Sequence, residues 1–227
     1  EPEPDGILES AAEFVDWFES VLIPLSRQIL PGRLNINPEE AELLIKEHIC
    51  LCYDVCHFAI GYESHAQFIE LLESKGIRVG KIQISAALKA GFPPDPELRS
   101  GIAAAFANYN EPTYLHQVVA RKDDGQLVRY RDLPEALNDY TNPLVREWRA
   151  HFHVPVFIRD LGLLQSTQED ISEVLEIQKN RPFTEQMEVE TYTWEVLPEA
   201  LKAPIAESIV RELNWVKELL LKNQDHE

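Results

Sequence analysis

Two hydrophobic periods divide this chain. Phe14, Trp17, Phe18, Val21 and Leu22 recur at helical spacing and predict a helix over about 8–24. Asn37-Pro38-Glu39-Glu40 opens a second helix: Asn37 can cap, Pro38 suits the first turn, and Glu40 completes a capping-box pattern. That helix runs to about His48 and feeds a stretch that alternates. Ile49, Leu51, Tyr53 and Val55 share one face, and Cys50, Cys52 and Asp54 the other. Apolar or sulfur-bearing residues on both faces fit a strand buried on both sides, as in a parallel α/β sheet. Asp54 at its carboxyl end reads equally as a site carboxylate or as a cap on the next turn, with His57 satisfied locally. Ser64-His65-Ala66-Gln67 then starts a helix to Lys75, where Gly76 stops it. A strand over 77–85 places Lys81, Gln83 and Ser85 on one face. Residues 91–96 are a Pro/Gly-rich loop, and Asp95-Pro96 opens a helix to about Asn108.

The pattern changes over 113–131. Tyr114–Arg121 and Gln126–Arg131 flank Asp124-Gly125, a strong two-strand turn signal, so this part is an antiparallel β-hairpin inserted in a βα-repeating chain. A helix follows near 133–140. Trp148–Ile158 reads as a strand with His151 and His153 on one face. Ser166-Thr167-Gln168-Glu169 caps a helix to about Asn180. The last strand, 186–193, puts Glu188, Glu190 and Tyr192 on one face, and a long helix runs from Pro198 to about Lys222 with a kink at Pro204. Glu1-Pro2-Glu3-Pro4-Asp5-Gly6 reads as the end of a strand whose body is missing. Four or five βα units plus a hairpin mean a single α/β domain over 1–227 with a parallel sheet, open or closed into a barrel. A complete eight-stranded barrel takes about 250 residues, more strands than this chain offers.

Charge narrows the partners. With 39 acidic and 21 basic residues the 227-residue chain carries −18, which disfavours nucleic acid and anionic membrane surfaces and aids solubility or raises local affinity for cations. No apolar run approaches the roughly 20 residues of a membrane helix, and no signal peptide is evident, so a cytoplasmic location without membrane insertion is expected. Cys50 and Cys52 point the same way on one strand, which is poor disulfide geometry, and with Cys56 they lack the usual zinc spacing. They read as small buried hydrophobes in a reducing compartment.

The polar residues at expected strand ends are Glu1, Asp54 with His57, Gln83, His151 with His153, and Glu188 with Glu190. Such oxygen and imidazole donors suit Mn²⁺, Mg²⁺, Co²⁺ or Zn²⁺. A bound ion polarises a substrate carbonyl and hydroxyl, and two carboxylates can then move the proton between them. Taken singly, Glu188 and Glu190 fit a solvated edge strand, His151 and His153 a satisfied core, and His116 a structural or lid position in the hairpin.

Several blocks resemble the EboE branch of the xylose-isomerase-like TIM barrels, called metabolite traffic proteins. These are EPEPDG at 1–6, LCYDVCH at 51–57, GKIQISAAL at 80–88, YLHQVVARK at 114–122, HFHVPVF at 151–157 and MEVETYTWEVLPE at 187–199. That superfamily includes sugar-phosphate isomerases, ketose 3-epimerases and nucleases of the endonuclease IV type. The resemblance implies strands five to eight of a (β/α)₈ barrel, with Glu1 closing strand five. It implies metal ligation by Glu1, Asp54 and Glu190, with Glu1 and Glu190 doubling as the acid/base pair. His57, Gln83, His116 and His151 would bind or orient substrate. Gln83 stands where the superfamily has a metal-binding histidine, so His151 or His153 would supply the imidazole, and His153 completes the expected metal set. The implied function is a metal-dependent isomerase or epimerase acting on a small polar metabolite, with other Ebo-pathway proteins as partners. A non-catalytic metabolite-binding or hand-over protein is the alternative, and the Gln83 departure favours it. The charge disfavours a nuclease.

Overall fold

The computed structural model describes residues 1–191, 193–194, 197, 199 and 202–221. Residues 1–10 form no strand, and Asp5 turns there with φ 61°. Helix α1 (Ala11–Trp17) starts at Ser10, whose hydroxyl accepts the Glu13 N–H while the Glu13 carboxylate takes the Ser10 N–H. A π-turn (Phe18–Leu22) follows, with the Ile23 N–H reaching back to Phe18 O. Pro24 has no N–H with which to continue an α-helical ladder. The wide turn just before it absorbs that break, so α2 (Ile23–Leu34) extends the rod beyond the expected end at 24. Helix α3 (Pro38–His48) carries the expected Asn37/Glu40 capping box.

Strand β1 (Leu51–Asp54) stops because Asp54 caps α4 (Val55–Ile60), accepting the His57 N–H. Helix α5 (His65–Lys75), capped by Ser64, ends at Gly76 with φ 63°, the left-handed geometry that glycine adopts at least cost. Next come β2 (Val79–Ile84), β3 (Leu88–Gly91), α6 (Pro96–Ala107), β4 (Val118–Lys122), β5 (Leu127–Tyr130) and α7 (Leu133–Leu137). The described chain closes with β6 (Val145–Ala150), β7 (Asp160–Leu161), β8 (Leu164–Ser166), α8 (Gln168–Asn180), β9 (Met187–Val189) and α9 (Ile205–Leu221). The expected positions of Tyr192, Pro198 and Lys222 lie outside the described residues.

The result is a mixed α/β fold with two sheets. One is parallel, ordered β1-β2-β9; the other is antiparallel and six-stranded, ordered β5-β4-β6-β3-β8-β7. Neither closes into a barrel among the described residues. The hairpin is present as β4 and β5, but it is the edge of the larger sheet, because β4 also pairs along β6. Two expectations change with it. The strand expected over 148–158 ends at Ala150 and runs antiparallel to β3 and β4, so His151 and His153 lie just beyond it. Ser166 belongs to β8 and donates to Ile158 O, while Thr167 Oγ1 accepts from Ala87 N, so neither side chain caps α8.

Each sheet is pinned by an aromatic cluster. Tyr53 of β1 packs against Phe58 and Phe68 at 4.6 and 5.8 Å between centroids, and Trp148 of β6 against Phe92 and Phe106 at 4.4 and 5.6 Å. A buried polar chain joins the two halves. Tyr53 Oη meets His65 Nδ1 at 2.8 Å, His65 Nε2 meets Asp170 Oδ1 at 3.2 Å, and Arg149 of β6 reaches the same oxygen at 3.4 Å. Arg149 also donates to Ala59 O at 2.7 Å, fastening α4 to the antiparallel sheet. Helix α4 is thus wedged between the sheets, its first turn held by Ser85 through Cys56 N and its last turn by Arg149 through Ala59 O. No helix of the described residues is long and apolar enough to cross a membrane.

Candidate metal centre

Parallel pairing brings three polar residues to one end of the small sheet. Asp54 of β1 is the register partner of Gln83 in β2, and Glu190 N donates to Ile84 O just past the β2–β9 pairing. Asp54 is fully buried, which would be prohibitive for an unpartnered carboxylate. Here Oδ1 accepts from Ser85 Oγ at 2.6 Å and His57 N at 3.2 Å, and Oδ2 accepts from Gln83 Nε2 at 2.9 Å. Burial pushes the Asp54 carboxyl up, but the charges of His57 and His153 and the hydrogen bonds from Ser85 and Gln83 outweigh it and hold it below the usual carboxylate range. The capping reading of Asp54 is therefore met, and the same carboxylate also accepts from Ser85 and Gln83.

Gln83 is the centre of the acidic group. Its Nε2 donates to Asp54, to Glu1 Oε1 at 3.3 Å and to Glu190 Oε2. Its Oε1 accepts from Cys52 Sγ at 3.0 Å. A carboxamide nitrogen has two hydrogens, fewer than the three carboxyl groups around it. Burial, the Asp54 carboxylate beside it and Glu1 push the Glu190 carboxyl up to about 8, so at neutral pH it carries the proton that this crowding demands. Glu188, in β9, turns instead to Lys81 at 2.6 Å on the exposed rim.

The imidazoles close the other side, and each is fixed through its Nδ1. His57 Nδ1 faces Pro2 O at 3.0 Å and Glu1 Oε1 at 3.4 Å; His151 Nδ1 faces Gln117 Oε1 at 2.9 Å; His153 Nδ1 faces Glu190 O at 3.1 Å. All of these are acceptors, so each Nδ1 carries a hydrogen, which leaves Nε2 as the nitrogen of each ring that a metal could take. The His57 and His151 Nε2 atoms lie 3.2 Å apart. Burial, with the charge of His57, pushes His151 well below its ordinary range. Burial also brings His153 down to about 4, so both rings are neutral at pH 7. Facing lone pairs repel unless a proton or cation lies between or beside them. The donor set fits a divalent ion: one ligand atom each from Asp54, His57 and His153 lie within 4.8 Å of one another.

The structure thus brings together Glu1, Asp54, His57, Gln83, His151, His153 and Glu190. Glu1 and Glu190 share the Gln83 nitrogen with Asp54, but the compact three-ligand group pairs Asp54 and His153 with His57. His116 stands one layer back, its Nδ1 facing His151 O at 3.1 Å and its Nε2 facing Glu111 at 3.2 Å. Sequence reading passed over Ser85, Gln117 and Cys56. Cys56 joins a second close group with His151 and His153. Its signal was available in Asp54: a strand-ending Asp that caps a helix sends the residue two places on into the first helical turn, not along the strand face. No family model, curated protein or solved structure matches the chain.

Proposed function

We propose that this chain is an EboE-like metabolite traffic protein with a divalent-metal site of the isomerase or epimerase kind, acting on a small polar metabolite. The observation that carries the reading is the fixing of three imidazoles through Nδ1, two of which, His57 and His153, each place a ligand atom within 4.8 Å of one from the buried Asp54. Asp54, His57 and His153 would hold the ion, and Glu1 and Glu190 line the more exposed side. A bound Mn²⁺, Mg²⁺, Co²⁺ or Zn²⁺ would polarise a carbonyl–hydroxyl pair and acidify the C–H between them. The chain's own residues then divide the proton work. Glu190, held up at about 8, offers a proton near neutral pH, and Glu1 at the other contact of Gln83 can receive one. Pro2 O, Gln117 and the Glu190 carbonyl keep the imidazoles in register. The three parallel carboxyl ends at one site support reading the small sheet as the closing part of a (β/α)₈ barrel.

A second reading has its own support. Gln83 already supplies hydrogen bonds to all three carboxyl groups, the arrangement of a binding pocket that needs no proton transfer. In that case the protein binds a metabolite and hands it over within the Ebo pathway. Solvent-deuterium exchange separates the two. The full chain, loaded with Mn²⁺, is incubated in D₂O with a panel of small ketoses, aldoses and their phosphates and followed by NMR. Deuterium entering at the carbon next to the carbonyl, and lost in Glu190→Gln, supports catalysis. Binding of a panel member with no exchange, unchanged by Glu190→Gln, supports hand-over and contradicts the isomerase reading.

A further inference from the structure

Two donors beside the metal centre, Cys56 and His151, are not metal ligands in the proposed function. Cys56 lies two residues beyond Asp54, in the first turn of α4, and is fully buried. It packs with Ile60, Ala87 and Val119. From there its sulfur and one ring nitrogen each of His151 and His153 lie within 4.8 Å of one another. The other two thiols are engaged elsewhere, Cys52 with Gln83 Oε1 at 3.0 Å and Cys50 with Glu47 O at 3.5 Å. His153 belongs to both close groups. With its Nδ1 committed to the Glu190 carbonyl it has one nitrogen to give, so the two groups cannot both use it at once.

The geometry points to an alternative metal site, Cys56–His151–His153, that takes a thiophilic ion such as Zn²⁺, Cd²⁺ or Cu⁺ and competes with the Asp54–His57–His153 group for His153. The chemistry of the donors sets the selectivity. Thiolate with imidazole favours soft and borderline ions, whereas carboxylate with imidazole also accepts Mn²⁺ or Mg²⁺, which bind thiolate poorly. Ligand atoms of a tetrahedral N/S site lie roughly 3.3–3.8 Å apart, given the usual metal–ligand bond lengths. Binding replaces the Cys56 S–H bond with a sulfur–metal bond and releases the proton to solvent. The consequence is inhibition, because a thiophilic ion draws His153 away from Asp54. That consequence rests on the metal-centre reading above; the existence of the site rests on Cys56 and His151, which that reading does not use as ligands.

Cobalt titration of the chelator-stripped full chain under anaerobic conditions tests it. Visible ligand-field absorption reports cobalt bound at the centre by any ligand set, and a near-ultraviolet thiolate-to-cobalt band reports sulfur alone. The expected result is a thiolate band in the wild type that disappears in Cys56→Ser and persists in Cys52→Ser. Visible absorption should remain in Cys56→Ser, and Zn²⁺ but not excess Mg²⁺ should bleach the thiolate band. Visible absorption with no thiolate band overturns this inference and leaves the metal centre standing, and absence of both bands overturns both. A thiolate band that survives Cys56→Ser also overturns the inference. Should Cys56→Ser fold poorly, X-ray absorption of zinc-loaded wild type decides: sulfur in the zinc shell is expected, and a shell of nitrogen and oxygen alone refutes the site.

Discussion

Gln83 Nε2 lies 2.9 Å from Asp54 Oδ2, and the same nitrogen serves Glu1 and Glu190. One neutral amide thereby does in part what a cation would do for three carboxyl groups. Replacing it with the similarly sized Gln83→Leu leaves buried acceptors without their donor, which costs about 1–3 kcal/mol. Urea unfolding should show that loss, and added Mn²⁺ should recover more stability in the variant than in the wild type.

Glu190 makes stability fall with rising pH. An unfolded glutamate ionises near 4.5, and the folded one is held up at about 8, so across that window the folded chain keeps a proton that the unfolded chain has lost. The group takes nothing from stability below the lower value, progressively more between the two, and a constant amount above the upper one. In metal-free protein, Glu190→Gln should match the wild type near about pH 4.5 and exceed it near about pH 8.5. The gain should be on the order of 1 kcal/mol once the half-exposed position is allowed for. Thermal unfolding at the two pH values checks this.

Asp170 acts in the opposite sense. Burial pushes its carboxyl up, but the His65 hydrogen bond and the Arg149 charge win and hold it below 3.8. Its contribution is present above that ordinary value and is lost as the pH falls through the lower folded one. Asp170→Asn breaks the chain that ties Tyr53 and His65 to Arg149 and should cost about 2–4 kcal/mol near neutral pH. Urea midpoints should show the gap between variant and wild type narrowing at about pH 3.

Local signals in the sequence are strong where a single side chain decides the outcome. The Asn37 cap, the Gly76 stop and the Asp124-Gly125 turn each appear as their chemistry requires. The site was legible because parallel strands send their terminal polar residues to one end, which is why Asp54, Gln83 and Glu190 meet. The antiparallel sheet was not. Strand β3 spans only Leu88–Gly91 beside a Pro/Gly-rich loop, and its partners β6 and β8 are distant in sequence, so no local period announces it. Cys56 was read as a small hydrophobe, and its packing among Ile60, Ala87 and Val119 agrees. Only the helical turn that Asp54 starts places its sulfur beside two imidazoles.

Asp54, His57 and His153 are proposed here to hold a divalent ion. Calorimetric titration of the chelator-stripped full chain with Mn²⁺ and with Zn²⁺ tests it most directly. Stoichiometric uptake of both ions by the wild type is expected, with Mn²⁺ affinity lowered by more than about a hundredfold in Asp54→Asn and in His153→Ala, and Zn²⁺ affinity lowered as far in His153→Ala, which both donor groups share. No uptake of either ion, or uptake of both that neither substitution weakens, would contradict it.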